Sequence, residues 1–290
     1  MVESTSAAAA RKPSDLVPRL VVAAIGVPAL LAISLLGPNW AIWLVLTIAA
    51  CIGTWEYTRM TLGSPLRIDA YAAIIAVGLV LGLGYWQDNT TYTFVAAAFS
   101  IVALLSLCMR SAVATDAAAS RFGHLSAAAA YCGLLFGSLI VLVMDEPLLR
   151  GPWQGGWLLW PMVVIWSGDT GAYFAGRAFG RHKLAPRISP AKTREGAVGG
   201  LVASVVGAYI AWTVLPLPPA ITWWMVLAFA LPGAIVGQLG DLAESLLKRS
   251  VGVKDSSRVL YGHGGMLDRV DALIFAGPWF VLLKEWLQLP

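Results

Sequence analysis

The sequence predicts an all-α polytopic membrane protein with about nine transmembrane helices, its N-terminus cytoplasmic and its C-terminus outside. Three observations predict it. Of 290 residues, 58% are hydrophobic and 12% charged, and the mean hydropathy is +0.74. The apolar residues form repeated continuous runs of about 16–25, the length that crosses a bilayer as helix, without the alternation of a membrane barrel. The basic residues also segregate. With the N-terminus inside, 18 of the 20 Lys and Arg fall in cytoplasmic segments and only Arg150 and Lys284 fall outside, the bias that sets topology.

Taken in order, residues 1–18 read as a disordered cytoplasmic tail, since an alanine tract there offers few apolar anchors. Spans are expected at roughly 19–36, 40–57, 70–86, 92–109, 125–144, 157–176, 196–215, 222–247 and 271–288. No soluble mature domain follows the first run, so it reads as a retained helix and not as a cleaved signal. Pro28 and Pro232 fall inside spans and are expected to kink them. The first four spans, within residues 19–124, carry few polar groups and read as scaffold; Glu56 in the second reads as an interface or packing residue. Residues 125–290 hold the polar chemistry and read as the functional region, its site at the cytoplasmic face. Cys51, Cys108 and Cys132 lie in apolar runs without metal-ligand spacing and read as small buried hydrophobes. The sequence pI near 9.0 follows from inward-facing Lys and Arg and from an anionic ligand, with no nucleic acid implied.

The polar residues gather in three places. On the eighth span, Gln238, Asp241, Glu244 or Ser245, and Lys248 recur every three or four residues and share one face. Carboxylates at membrane depth are costly unless paired or metal-bound. Glu244 and Lys248 have the order of a helical ion pair, whereas Asp241 has no basic residue one turn away. In GHGGMLDRVD, residues 262–271, the glycines let backbone amides approach an anion. Asp268 and Asp271, three apart at the start of a helix, can hold a divalent cation or complement the helix dipole. In the sixth span, Asp169 sits among Gly168, Gly171, Gly176 and Gly180, small residues that allow close helix packing. The loop after it carries Arg177, Arg181, Lys183, Arg187, Lys192 and Arg194 against one acid, Glu195, which satisfies the positive-inside rule or contact with anionic lipid and also suits a triphosphate or a lipid phosphate. No GxxxxGK[ST] loop, HExxH or GxSxG element is present, which disfavours P-loop, zincin and serine-hydrolase chemistry.

At these residues the chain resembles the phosphatidate cytidylyltransferases, the CDP-diacylglycerol synthases. The resemblance is carried by Ser245, Lys248–Arg249, Lys254–Asp255, His263–Gly264–Gly265 and Asp268–Arg269–Val270–Asp271 at matching spacing, and upstream by Asp169–Thr170–Gly171–Ala172–Tyr173 and Ser189–Pro190. It covers about residues 157–285, with two departures: Tyr261, where Pro or Gly is usual, and Ala191, where Lys is common. The resemblance implies CTP and phosphatidate as substrates, CDP-diacylglycerol and pyrophosphate as products, and Mg²⁺, with a second cation where the site takes two, as cofactor. It implies Asp241, Asp268 and Asp271 as metal ligands and catalytic residues, with Lys248 and Lys254 beside them. Ser245, Arg249, Arg258, His263, Gly264, Gly265, Arg269, Asp169, Lys192 and Arg194 are then the substrate-binding set. Competing readings are a CDP-alcohol phosphotransferase, whose Asp-Gly-x-x-Ala-Arg element is missing here, a secondary transporter of an anionic substrate, and a non-catalytic scaffold. Glycine-rich helix faces permit a homodimer.

Overall fold

The computed structural model describes residues 16–63, 67–86, 90–110, 115–144, 155–257, 259 and 264–289. Every expected span is helical. The helices are α1 (Leu16–Leu36), α2 (Asn39–Leu62), α3 (Arg67–Trp86), α4 (Thr90–Arg110), α5 (Thr115–Ala128), α6 (Leu135–Met144), α7 (Gly156–Phe179), α8 (Arg194–Val214), α9 (Trp223–Ser250) and α10 (Leu267–Trp286). Among the described residues, four stretches are long and apolar enough to cross a membrane: Asn39–Leu62, Ala118–Met144, Arg194–Val214 and Trp223–Ser250. Ala24–Leu36, Ile68–Leu83 and Ala97–Ser106 are shorter apolar helices.

The fifth expected span, 125–144, starts ten residues earlier, at Thr115, and is interrupted. Alpha5 and α6 are joined by a π-helical turn, Ala129–Leu134, a widened turn of the kind that often accompanies function. It sets Tyr131 against Tyr57, ring centroids 5.8 Å apart, and Phe275, 5.7 Å apart. The early start is possible because Arg121 is not left as a lone buried charge. Its guanidinium binds the Asp69 carboxylate of α3 through two nitrogens, and both side chains are buried.

The most extensive packing joins α7 to α8. Glycines make it possible: a Cβ on Gly200 would stand 3.0 Å from the Gly168 carbonyl oxygen and 3.1 Å from Ala172 Cβ, and one on Gly171 would crowd Ala203 and the Gly199 carbonyl. These small residues are used in packing α7 on α8. Gln238 ties α9 to the same seam by donating to the Ala197 carbonyl at 3.0 Å.

Between α7 and α8 the basic segment is an antiparallel hairpin, β1 (Lys183–Ala185) and β2 (Ser189–Thr193), with Lys183 opposite Thr193 and Ala185 opposite Ser189. The sequence reading had a loop there. Thr193 ends the hairpin and caps α8, its hydroxyl accepting from the Gly196 amide at 3.1 Å. Glu195 fastens the other end, accepting from the Arg181 and His182 amides and pairing with His182 Nδ1 at 2.6 Å.

The core is centred on an aromatic cluster where α7, α9 and α10 meet. Trp160 and Phe229 have centroids 4.8 Å apart, Phe229 and Phe280 5.3 Å, and Trp157 and Phe229 5.6 Å, all four rings fully buried. Lys284 Nζ lies 5.4 Å from the Trp157 ring centre, and the Trp160 indole donates to the Ala208 carbonyl. Cys108 and Cys132 are buried and Cys51 partly so, all as free thiols. Besides the expected prolines 28 and 232, Pro161 and Pro278 also lie inside helices.

Candidate active site

Alpha7, α9 and α10 each carry aspartates to the same end of the bundle, away from the aromatic cluster. Asp169 of α7, Asp241 of α9, Asp268 and Asp271 of α10 and Asp255 from the α9–α10 connection line one polar cavity of about 380 Å³, with Lys248 and Arg269 as its cations. A second, more apolar cavity of about 500 Å³ adjoins it and shares Asp169 and Asp241. Its walls include Ala172, Tyr173 and Gly176 of α7, Ala191 and Lys192 of β2, and Gln238 of α9. The charge-rich segments 177–195 and 248–271 thus each line one of two cavities that share Asp169 and Asp241.

Lys248 stands between two acids. Its Nζ lies 2.6 Å from Glu244 Oε2 and 2.5 Å from Asp268 Oδ1. The helical pair anticipated from spacing is present, with a third partner from α10 added. Asp268 Oδ2 accepts from the Ser256 amide at 2.9 Å, the Ser256 hydroxyl at 2.9 Å and the Gly265 amide at 2.8 Å. Both Asp268 oxygens thus have donors, and the residue lines the cavity. Glu244 is wholly buried. Its Oε1 has no donor among the described residues, and its side chain neighbours that of Asp271. Two carboxylates in contact repel unless a proton or a cation stands between them.

Asp241 has a basic partner after all. Lys192 of β2 pairs with its Oδ2, and Ser245 points a hydroxyl at its Oδ1 from 3.5 Å. This partner is 49 positions away in sequence, beyond any helical-spacing argument.

The substrate-binding set divides. Asp169 and Lys192 line the apolar cavity, and Asp169 and Arg269 the polar one. Arg249 is exposed and donates to the Val253 carbonyl at 2.9 Å, and Lys254 is exposed beside it, neither lining either cavity. Arg194 lines a separate apolar groove on the outer side of α7 and α8 with Phe179, Val198 and Val202. Gly264 has φ +81°, a conformation that suits glycine. Arg258 and His263, and the departure at Tyr261, lie outside the described residues.

One residue the sequence reading gave only a packing role is Glu56. It is wholly buried on α2 and its carboxylate reaches the α9–α10 connection and the first amides of α10. The available signal was a lone acid in an apolar helix, which by itself marks a functional candidate.

As to a metal, carboxylate oxygens are the donors a hard divalent cation takes. Among the described residues no three acidic, histidine or cysteine side chains stand close enough to hold an ion unaided. Among the described residues, five aspartates against two cations line the polar cavity, a donor set that fits an Mg²⁺ that keeps waters and completes its shell with substrate phosphates, its usual mode.

Comparison with known proteins now decides the family. The model of the "Cytidylyltransferase family" matches residues 17–287. The chain belongs to this family. Among curated relatives, the phosphatidate cytidylyltransferase of Haemophilus influenzae is 43% identical over 156 residues, covering 50% of this chain and 54% of the relative. That of Brucella suis is 47% identical over 146 residues, 50% and 52% of the two chains. That of Bacillus subtilis is 42% identical over 162 residues, 56% and 57%. The alignments span about half the length of the curated relatives. In this cytidylyltransferase-family chain the family match extends over α1–α10.

Proposed function

We propose that the chain is an integral-membrane phosphatidate cytidylyltransferase, converting CTP and phosphatidate to CDP-diacylglycerol and pyrophosphate. The observation that carries this reading is the polar cavity lined, among the described residues, by five aspartates and two cations and sharing Asp169 and Asp241 with an apolar neighbour. On its own charge the polar cavity repels a triphosphate, and it becomes attractive once divalent cations are bound. A metal nucleotide and an acyl-chain-bearing phosphate are the pair of ligands such a double cavity suits.

In the proposed reaction a phosphatidate phosphate oxygen attacks the α-phosphorus of CTP and the bond to the pyrophosphate oxygen breaks; no enzyme nucleophile is required. Asp241, Asp268 and Asp271 are the proposed Mg²⁺ ligands. Bound Mg²⁺ supplies charge neutralisation at the α-phosphate and the departing pyrophosphate. Lys248 holds Asp268 and Glu244 in place at the cavity wall. Lys192 orients Asp241 at the junction between cavities. Arg269 at the wall of the polar cavity is proposed to meet phosphate oxygens, and Arg249, Lys254 and Arg258 are proposed to do so with it. The proposal places the protein in the cell membrane with nine spans, the N-terminus and the site cytoplasmic.

The test is transfer of α-labelled CTP into lipid by purified protein in liposomes with phosphatidate and Mg²⁺. Label in the lipid phase supports the reading. Label remaining in water with a folded protein overturns it and favours an anion transporter.

A further inference from the structure

Glu56 lines neither cavity, yet its carboxylate is spent on the segment that carries Asp268. Oε1 accepts from the Ser257 hydroxyl at 2.5 Å and the Met266 amide at 2.9 Å; Oε2 accepts from the Leu267 amide at 2.9 Å and lies 3.1 Å from the Ser256 hydroxyl. The Ser256 hydroxyl is also 2.9 Å from Asp268 Oδ2. It has one proton and two carboxylates to serve, so it couples Glu56 to Asp268 directly.

The amides matter as much. The first N–H groups of a helix have no acceptor within it, and Met266 at the start of α10 offers no side-chain cap. Glu56 supplies that acceptor to Met266 and Leu267 from 210 and 211 positions earlier, with the charge a helix N-terminus favours. It also explains Gly265. A Cβ there would overlap the Ser256 hydroxyl oxygen and stand 2.6 and 2.7 Å from the two Glu56 oxygens. The glycine that looked suited to an approaching phosphate is required by a hydroxyl and a carboxylate of the chain itself.

We propose that Glu56 is a positioning residue for the cytidylyl transfer proposed above, on which this inference rests. From α2 it fixes the backbone at 265–267, and through Ser256 it sets the orientation of Asp268 at the cavity wall. The N-terminal helices are therefore part of the catalytic apparatus through one side chain, not scaffold alone.

Glu56→Gln keeps the size but places an NH₂ where two backbone or hydroxyl donors point. Kinetics of the folded variant in liposomes should show kcat reduced by at least about tenfold, with KM for CTP and phosphatidate within about threefold. Amide hydrogen exchange at 265–267, measured without substrate, should accelerate by a comparable factor. Ser256→Ala should lower kcat by a smaller factor and add nothing to Glu56→Gln, since both act along one path. Wild-type kcat in folded Glu56→Gln, or losses that multiply in the double variant, would overturn the proposal. If Glu56→Gln does not fold, Ser256→Ala decides, and an undiminished kcat there overturns it. If wild type transfers no cytidylyl group, the proposed function fails by itself, and unchanged exchange at 265–267 then overturns the positioning role separately.

Discussion

Lys248 and Asp268 lie on different helices, 20 positions apart in sequence, yet Lys248 Nζ is 2.5 Å from Asp268 Oδ1 while holding Glu244 at 2.6 Å. One ammonium thus neutralises a wholly buried glutamate and fixes a cavity aspartate. Lys248→Met should leave Glu244 buried without its cation and destabilise the fold by about 3–5 kcal/mol, the cost of breaking a buried pair. Transfer activity of any folded remainder should fall at least about a hundredfold. Thermal unfolding in detergent and labelled-CTP turnover check the two effects.

Asp271→Asn and Asp268→Asn should separate. Asp271 lies against Glu244, so the amide relieves a carboxylate–carboxylate contact and stability should be unchanged or higher. Asp268 accepts four donors, and Asn there presents an NH₂ to one of them, at a stability cost of about 1–3 kcal/mol. Both should lose transfer by orders of magnitude with the Mg²⁺ requirement raised. Activity surviving in both would reject the proposed metal ligands.

Lys192→Ala releases Asp241 from its partner on the hairpin. Lys192→Ala, Asp241→Asn and the double variant form a cycle whose coupling should be non-zero, about 0.5–3 kcal/mol for residues in contact. Additive losses in kcat/KM would show that the pair does not act as a unit.

Arg121→Met should destabilise by about 3–5 kcal/mol, because Asp69 is left buried without its guanidinium. This pair lines neither cavity, so KM and kcat per folded molecule should stay within about threefold. Paired with Lys248→Met, it distinguishes a structural ion pair from one at the site.

The sequence made the helices legible because bilayer-length apolar runs have one physical solution, and the bounds came within a few residues for α1 to α4. It was less informative where charge is paired inside a helix: Arg121 marked a loop to the eye, and its partner Asp69 is 52 positions away. The hairpin at 183–193 has strands of three and five residues, too short to show alternation. At the site, the spacing argument worked within an element, giving Glu244 with Lys248, and failed between elements, missing Lys192 for Asp241 and Glu56 for the α10 amides. Both misses are long-range contacts, and no local pattern encodes them.

The aromatic cluster lies at the far ends of the three helices that carry the aspartates. From Phe229 to Asp241 is 12 residues, and from Trp160 to Asp169 is nine, lever arms of about 14–18 Å at 1.5 Å per residue. A tilt of about 3° at that fulcrum displaces a carboxylate by nearly 1 Å, a misplacement that can cost about a hundredfold in rate. Tryptophans with no polar duty in the cavity are in this sense its alignment screws, and a methylene added among them is felt at the opposite end of the bundle.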